Sequence, residues 1–179
     1  MDIKDTNDLL FNFHVFPTGE LPSKGSNGRR PLAAIKYAVV HHDAVLAPES
    51  YDPISRYHAE ATYHVSKGWG RIGYAFKVAR DGRIYQLNPL EEIAYHAGNS
   101  AYNRNSIGIC LDGDFSKQQP SVPQMSALRE LLDWLTGQRP DLPLLVRKTI
   151  RYHREVRWPP LSTFCPGPVV SDFVKRYRA

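Results

Sequence analysis

The chain of 179 residues is long enough for one domain with a sizeable core. Its 42% hydrophobic and 23% charged residues are those of an ordinary globular protein, which excludes low-complexity and collagen-like classes. A net charge of +5 favours polyanionic partners such as nucleic acid, an anionic membrane surface or an anionic cell wall, and it equally serves solubility alone.

The Met1 end reads MDIKDTNDLLFNF, with acids where an export signal needs positive charge, and no long apolar run follows. The expectation is a chain with neither signal peptide nor membrane span, made in the cytosol and carried to any outside site by something else. Residues 1–31 lack sustained periodicity, and FPTGELPSKGSNGRRP is rich in turn formers. This reads as a loop-rich extension or wrapping arm before a domain over 32–179. AAIKYAVVHH is β-branched and predicts a buried strand ending at His41 and His42. Aromatic and apolar side chains recur at helical spacing from Ile54 to His64. GYAFKVARDGRIYQL alternates around Asp81-Gly82 and predicts a β-hairpin. NPLEEIAYHAGNSAYNRN reads as a long loop, and SIGICLDGDF as another strand holding a buried Cys110. Ser121 is the expected N-cap of the clearest helix, with Gln124 completing a capping box. Met125, Leu128, Leu131, Leu132 and Leu135 form that helix's apolar stripe. A strand near Thr149–His153, a Pro-rich loop and a last helix from about Val169 complete the chain. Alternating strands and helices with one hairpin predict an α/β fold: a central mixed β-sheet flanked by helices.

Two cysteines do not make a disulfide framework. Cys165 instead lies in a loop twelve residues beyond His153, at the end of the last strand, while His41 ends the first. Strand ends beside long loops are where α/β folds place sites. One thiolate and two imidazoles give zinc three ligands and leave a fourth position for water, the catalytic arrangement. A thiolate also disfavours hard cations such as magnesium. The same residues can instead be satisfied polar groups at strand ends. An HH pair proves little, because only one member points to a given side of a strand.

VVHHDA, KGWGRIGYAF, DGRIYQ, HAGNSAYNRNSIGICLDG, QMSALRELLDWL, YHREV and CPG occur in the order found in zinc-dependent N-acetylmuramoyl-L-alanine amidases. That family includes phage endolysin amidases and peptidoglycan recognition proteins. The chain resembles it from about Ile35 to the C-terminus, closest to the short phage endolysins. The resemblance implies an amidase domain over 32–179 that binds one zinc ion through His41, His153 and Cys165 plus water. It implies that Tyr74 is the active-site tyrosine and that His96 contacts substrate. It further implies that Thr163 falls at another catalytic position of the family. Arg157 is the alternative source of positive charge at the substrate, because the linker between His153 and Cys165 is longer than in many members. Another branch has an acid where this chain has Cys110, so no catalytic carboxylate is assigned. Asp112 and Asp114 read as a solvated strand end or turn. His42 is expected to orient the site or pack, His64 to be structural and Trp69 to fill core.

The resemblance implies hydrolysis of the amide between N-acetylmuramic acid and L-alanine of the stem peptide in peptidoglycan. It further implies a bacteriolytic endolysin that waits in the host cytoplasm until released to the wall. The alternative is a peptidoglycan-binding module without catalysis. The expected partners are peptidoglycan and anionic wall polymers, not membrane or nucleic acid, bound by a monomer.

Overall fold

The computed structural model describes residues 13–15, 21–159 and 162–179. In chain order the elements are β1 (Phe13–Val15), β2 (Tyr37–His42), α1 (Pro53–Ser66), β3 (Phe76–Val78), β4 (Ile84–Gln86), α2 (Ser100–Asn105), β5 (Ser106–Leu111), α3 (Val122–Gly137), β6 (Ile150–Tyr152), α4 (His153–Val156) and α5 (Pro168–Arg178). The strands form one six-stranded sheet in the order β1-β4-β3-β5-β2-β6. The β3–β4 hairpin pairs antiparallel and every other neighbour pairs parallel, so the sheet is mixed, as expected.

Alternation along the strands sorts their side chains onto two faces. Ala38 and Val40 of β2, with Ile107, Ile109 and Leu111 of β5, point to one face. There they pack against Leu128, Leu131, Leu132 and Leu135 of α3 and Val170 and Val174 of α5, all fully buried. Val39, His41, Gly108 and Cys110 point the other way. α1 covers part of that second face with Tyr57 and Ala61, which pack on Ile72 and Tyr85. The rest of it is left to the loops that carry the candidate site.

Local chemistry explains the helix starts. Asp52 caps α1 by accepting from the amides of Ile54 and Ser55, and Pro53 occupies the first turn, where no N–H is needed. Ser121 caps α3 through the amide of Gln124. The expected reciprocal half of that capping box is absent. The Gln124 amide group donates instead to the carbonyls of Val78 and Asp112, because it is buried against strand ends that need donors.

Three other expectations are corrected. The stretch read as one long loop contains α2, because Asn99 accepts from the amides of Ala101 and Tyr102 and starts a short helix. His153 does not end a strand: it begins α4, where the side chain of Glu155 accepts from the Tyr152 amide. The first residues are not all loop, since β1 pairs with β4. The remainder of 1–20 lies outside the described residues. Residues 21–31 wrap the domain: the Lys24 amide donates to Gly70 at 2.7 Å, and the Ile93 amide donates to Gly28 at 2.8 Å.

Candidate metal centre and its groove

Parallel register places His41 level with Cys110 of β5, which is level with Lys77 of β3. On the other side Val40 pairs with Tyr152, so His153 emerges beside His41. Their rings lie 4.4 Å apart between centroids. Cys165 is brought in by a turn. Its amide donates to the Thr163 hydroxyl at 3.2 Å, and its carbonyl accepts from the Arg154 amide at 3.0 Å. Gly167 follows with φ +89°, and a Cβ there would stand 2.7 Å from the Phe115 carbonyl oxygen, so the turn requires glycine. The Cys165 Sγ receives the His42 amide at 3.3 Å and lies 3.8 Å from His41 Nδ1. One donor atom each of His41, His153 and Cys165 fall within 4.8 Å of one another, and all three residues are buried. Donors around a tetrahedral zinc lie about 3.5 Å apart, so a small inward shift completes such a site.

The hydrogen-bond network sets the tautomers. Ser106 Oγ donates to the Tyr102 carbonyl at 2.6 Å, so it accepts from His96 Nε2 at 3.2 Å. Burial, then the neighbouring His153, lower the His96 pKa to about 3, which keeps its ring neutral. Its Nδ1 therefore accepts from His41 Nε2 at 2.9 Å. That leaves a lone pair on His41 Nδ1, the nitrogen facing Cys165. His153 bonds the Ala97 backbone, while its Nε2 is buried without a hydrogen-bond partner among the described residues. A buried ring nitrogen left unpaired is costly unless something absent here occupies it. Burial lowers the His153 pKa to about 4, with Arg157 adding to the effect, and holds that of His41 well below its usual 6.5. Both imidazoles are thus neutral, as metal ligands must be. Burial pushes the Cys165 thiol up to about 12 despite the His42 amide, a balance that a bound cation reverses. A neutral N, N, S donor set with one orphaned nitrogen fits a zinc ion.

The other expected site residues surround these three. The ring of Tyr74 lies 5.3 Å from that of His41, and burial raises its pKa well above 10, so it remains a neutral hydroxyl. His96 sits behind His41 with both ring nitrogens engaged. Gly108 makes room for it, since a Cβ there would stand 2.8 Å from His96 Cγ. The exposed side chain of Arg157 lies over Gly98 and lines a groove of about 940 Å³ that reaches His96. Thr163 holds the Cys165 amide.

The assignments of Trp69, Asp112 and Asp114 change, while those of His64 and His42 hold. Trp69 is half-buried, stacks on His64 at 4.4 Å and lines the groove instead of filling core. His64 is structural, accepting from the Gly73 amide beside Tyr74. His42 packs through its Nδ1, which accepts from the Phe115 amide. Asp112 and Asp114 are buried, not solvated. Asp112 belongs to a cluster that the sequence reading missed. There the fully buried Lys77 Nζ lies 2.8 Å from Asp43, 2.9 Å from Glu60 and 3.0 Å from Asp112. The one visible signal was a lysine inside the apolar strand FKV.

Two neutral imidazoles and a thiol are thus positioned so that they could hold a metal ion, and His96, which bonds His41, lines the neighbouring groove. A family profile described as N-acetylmuramoyl-L-alanine amidase matches residues 30–168, and the chain belongs to that family. Peptidoglycan-recognition protein SC2 of Drosophila melanogaster is 32% identical, covering 91% of this chain and 85% of that protein. Human N-acetylmuramoyl-L-alanine amidase is 26% identical over 79% of this chain, which spans only 24% of that longer protein. Among solved structures, peptidoglycan recognition protein-LE in complex with tracheal cytotoxin superposes with TM-score 0.73 at 24% identity, covering 93% and 94% of the two chains. The amidase LysC from Clostridium intestinale URNW superposes with TM-score 0.67 at 20% identity, covering 92% and 95%.

Proposed function

We propose that this chain is a zinc hydrolase that cleaves the amide between N-acetylmuramic acid and L-alanine of the peptidoglycan stem. The observation that carries the reading is the convergence of His41, His153 and Cys165, with the His153 Nε2 buried and unpartnered among the described residues. Family membership supplies the bond and the polymer. When bound, zinc polarises a carbonyl and lowers the pKa of water to about 7.

The chain's own residues do the rest. The groove over Trp69, Gly98 and Arg157 receives the stem peptide and orients the scissile amide. The neutral Tyr74 hydroxyl donates a hydrogen bond to the carbonyl oxygen as negative charge develops on it. Arg157 faces the groove and binds substrate, whereas Thr163 holds the Cys165 turn. His96 acts on the substrate through His41, whose ring it fixes. The catalytic domain spans 32–179, with 1–31 as an extension.

We assign the biological setting to a phage endolysin acting on its host's wall. A structural neighbour titled an endolysine from Clostridium intestinale URNW, TM-score 0.66, supports that fold kinship. No helix among the described residues is long and apolar enough to cross a membrane. The +5 charge draws the monomer to anionic wall polymers, so wall binding weakens with added salt. Metal analysis and the release of new N-terminal alanine from purified peptidoglycan test the reading. A protein that takes up no zinc, or a Cys165→Ala variant that still cleaves, sinks it. Sedimentation with walls but no cleavage at saturating zinc marks a binding module instead.

A further inference from the structure

The basic triplet Gly28–Arg30 has no part in the reaction above, yet it is built into the groove. Arg30 is buried. Its Nη1 donates to the carbonyls of Asn103 and Arg104 at 2.8 and 3.1 Å, and its Nε and Nη2 donate to Leu90 at 3.2 and 3.1 Å. Burial lowers its pKa only to about 10, so it is charged at neutral pH. Arg30 thus pins the wrapping segment 21–31 to the last turn of α2, and Arg29 and Arg104 come to line one cavity.

That cavity is short of negative charge. Arg29, Arg104 and Arg157 all line it, and no Asp or Glu does among the described residues. Arg29 is 69% exposed in its side chain and keeps one long contact, 3.8 Å, to Glu92. The other Glu92 oxygen accepts from the Ser26 hydroxyl at 2.5 Å. Asn27 lines the same cavity. Its Oδ1 accepts from the Gly70 amide at 2.7 Å, while its Nδ2 is buried without a hydrogen-bond partner among the described residues. A buried amide donor left unpaired costs free energy that an incoming acceptor recovers. Guanidinium groups match a carboxylate in shape as well as charge. The family profile begins at residue 30, so Asn27 and Arg29 lie ahead of it.

We propose that Asn27, Arg29 and Arg104 form an anion subsite that takes a carboxylate of the stem peptide, so that the chain distinguishes free from amidated stems. This rests on the peptidoglycan reading above. The group lies within a peptide that the same groove already holds, so the subsite sets binding strength and not the chemical step.

The experiment measures affinity by calorimetry, which needs no turnover. Wild-type protein with zinc is titrated with two synthetic stem tripeptides that lack the muramoyl group, and with it the scissile amide, and carry D-isoglutamate or D-isoglutamine after L-alanine. The free carboxylate is expected to bind about tenfold more tightly. Arg29→Ala/Arg104→Ala, both at exposed positions, is expected to remove that preference while leaving binding of the amidated peptide unchanged. Cleavage of the corresponding muramoyl tripeptides should follow the same split, the variant showing a raised KM for the free-acid form with kcat retained. Equal affinity for the two peptides in wild type, or equal weakening of both in the variant, overturns the subsite. Absence of binding to either peptide overturns it as well. Selective binding without cleavage overturns the amidase reading and leaves the subsite standing.

Discussion

The two faces of the sheet are built to opposite rules. The face under α3 and α5 is a continuous apolar layer, with Phe76, Ile107, Ile109, Leu128, Leu131 and Val174 fully buried. The opposite face buries His41 of β2 and Lys77 of β3, and beside them His96, Asp112 and His153 from the segments next to the strands. Hydrophobic burial stabilises the first without direction, at about 25 cal/mol per Å². The second depends on its polar atoms finding partners: Asp112 Oδ1, without a hydrogen bond among the described residues, lies 3.0 Å from the Lys77 ammonium, and the His153 Nε2 is left for the metal it is expected to meet. One strand therefore serves stability with its even positions and chemistry with its odd ones.

Mutations should separate the two faces. The largest effect is expected from Cys165→Ala, which should cut zinc affinity well beyond the ~10–100-fold typical of an outer-shell loss and abolish cleavage. Its thermal midpoint without metal should stay close to wild type; a collapse of the metal-free fold would show that the two faces are not separable. Leu131→Ala, fully buried on the α3 face, is expected to cost about 2–5 kcal/mol in urea unfolding, with activity per folded molecule retained. Ser106→Ala removes the acceptor that fixes the His96 tautomer, and should weaken zinc binding about 10–100-fold in chelator competition. Unchanged affinity there would break the tautomer assignment.

The smallest effect concerns pH. Burial, then Lys77, lower the His64 pKa from 6.5 to about 4. Below pH 6.5 the unfolded chain takes up a proton that the folded chain refuses until about pH 4, so stability falls as pH drops through that window. The loss from this group is about 2 kcal/mol at pH 5. His64→Gln should flatten the dependence by that amount in urea titrations of the metal-free protein, and an unchanged slope would place the titrating groups elsewhere.

Much of this contrast was legible in the residues. β-branched runs and the leucine stripe of α3 mark the apolar face, because local periodicity survives folding. Strand-end spacing and soft-donor chemistry left His41, His153 and Cys165 open between metal ligands and satisfied polar groups, and the ordered family blocks pointed to them as a set; their donor atoms converge. Their partners were not legible. The link from His41 through His96 to Ser106 exists only because β5 lies beside β2 and carries glycine at 108. Sequence separation hides such approaches. Lys77 is a charge inside an apolar strand, and the three carboxylates that meet it come from distant segments. α2 was lost among turn formers because so short a helix depends on its Asn99 cap more than on any apolar stripe. Asn27 and Arg29 carried charge and turn propensity but no periodicity, and only the pinning by Arg30 turns them into a wall.

His41 and Cys165 stand 124 residues apart in the chain, and their side chains lie 3.8 Å apart. An ion shared between them works as a clasp across most of the polypeptide. Free zinc at a hundred times its dissociation constant would add about 2.7 kcal/mol to folding stability. Metal supply would then govern how long the molecule endures as well as whether it cuts. A chelator would lower the folding stability of this chain in the same step that stopped its chemistry.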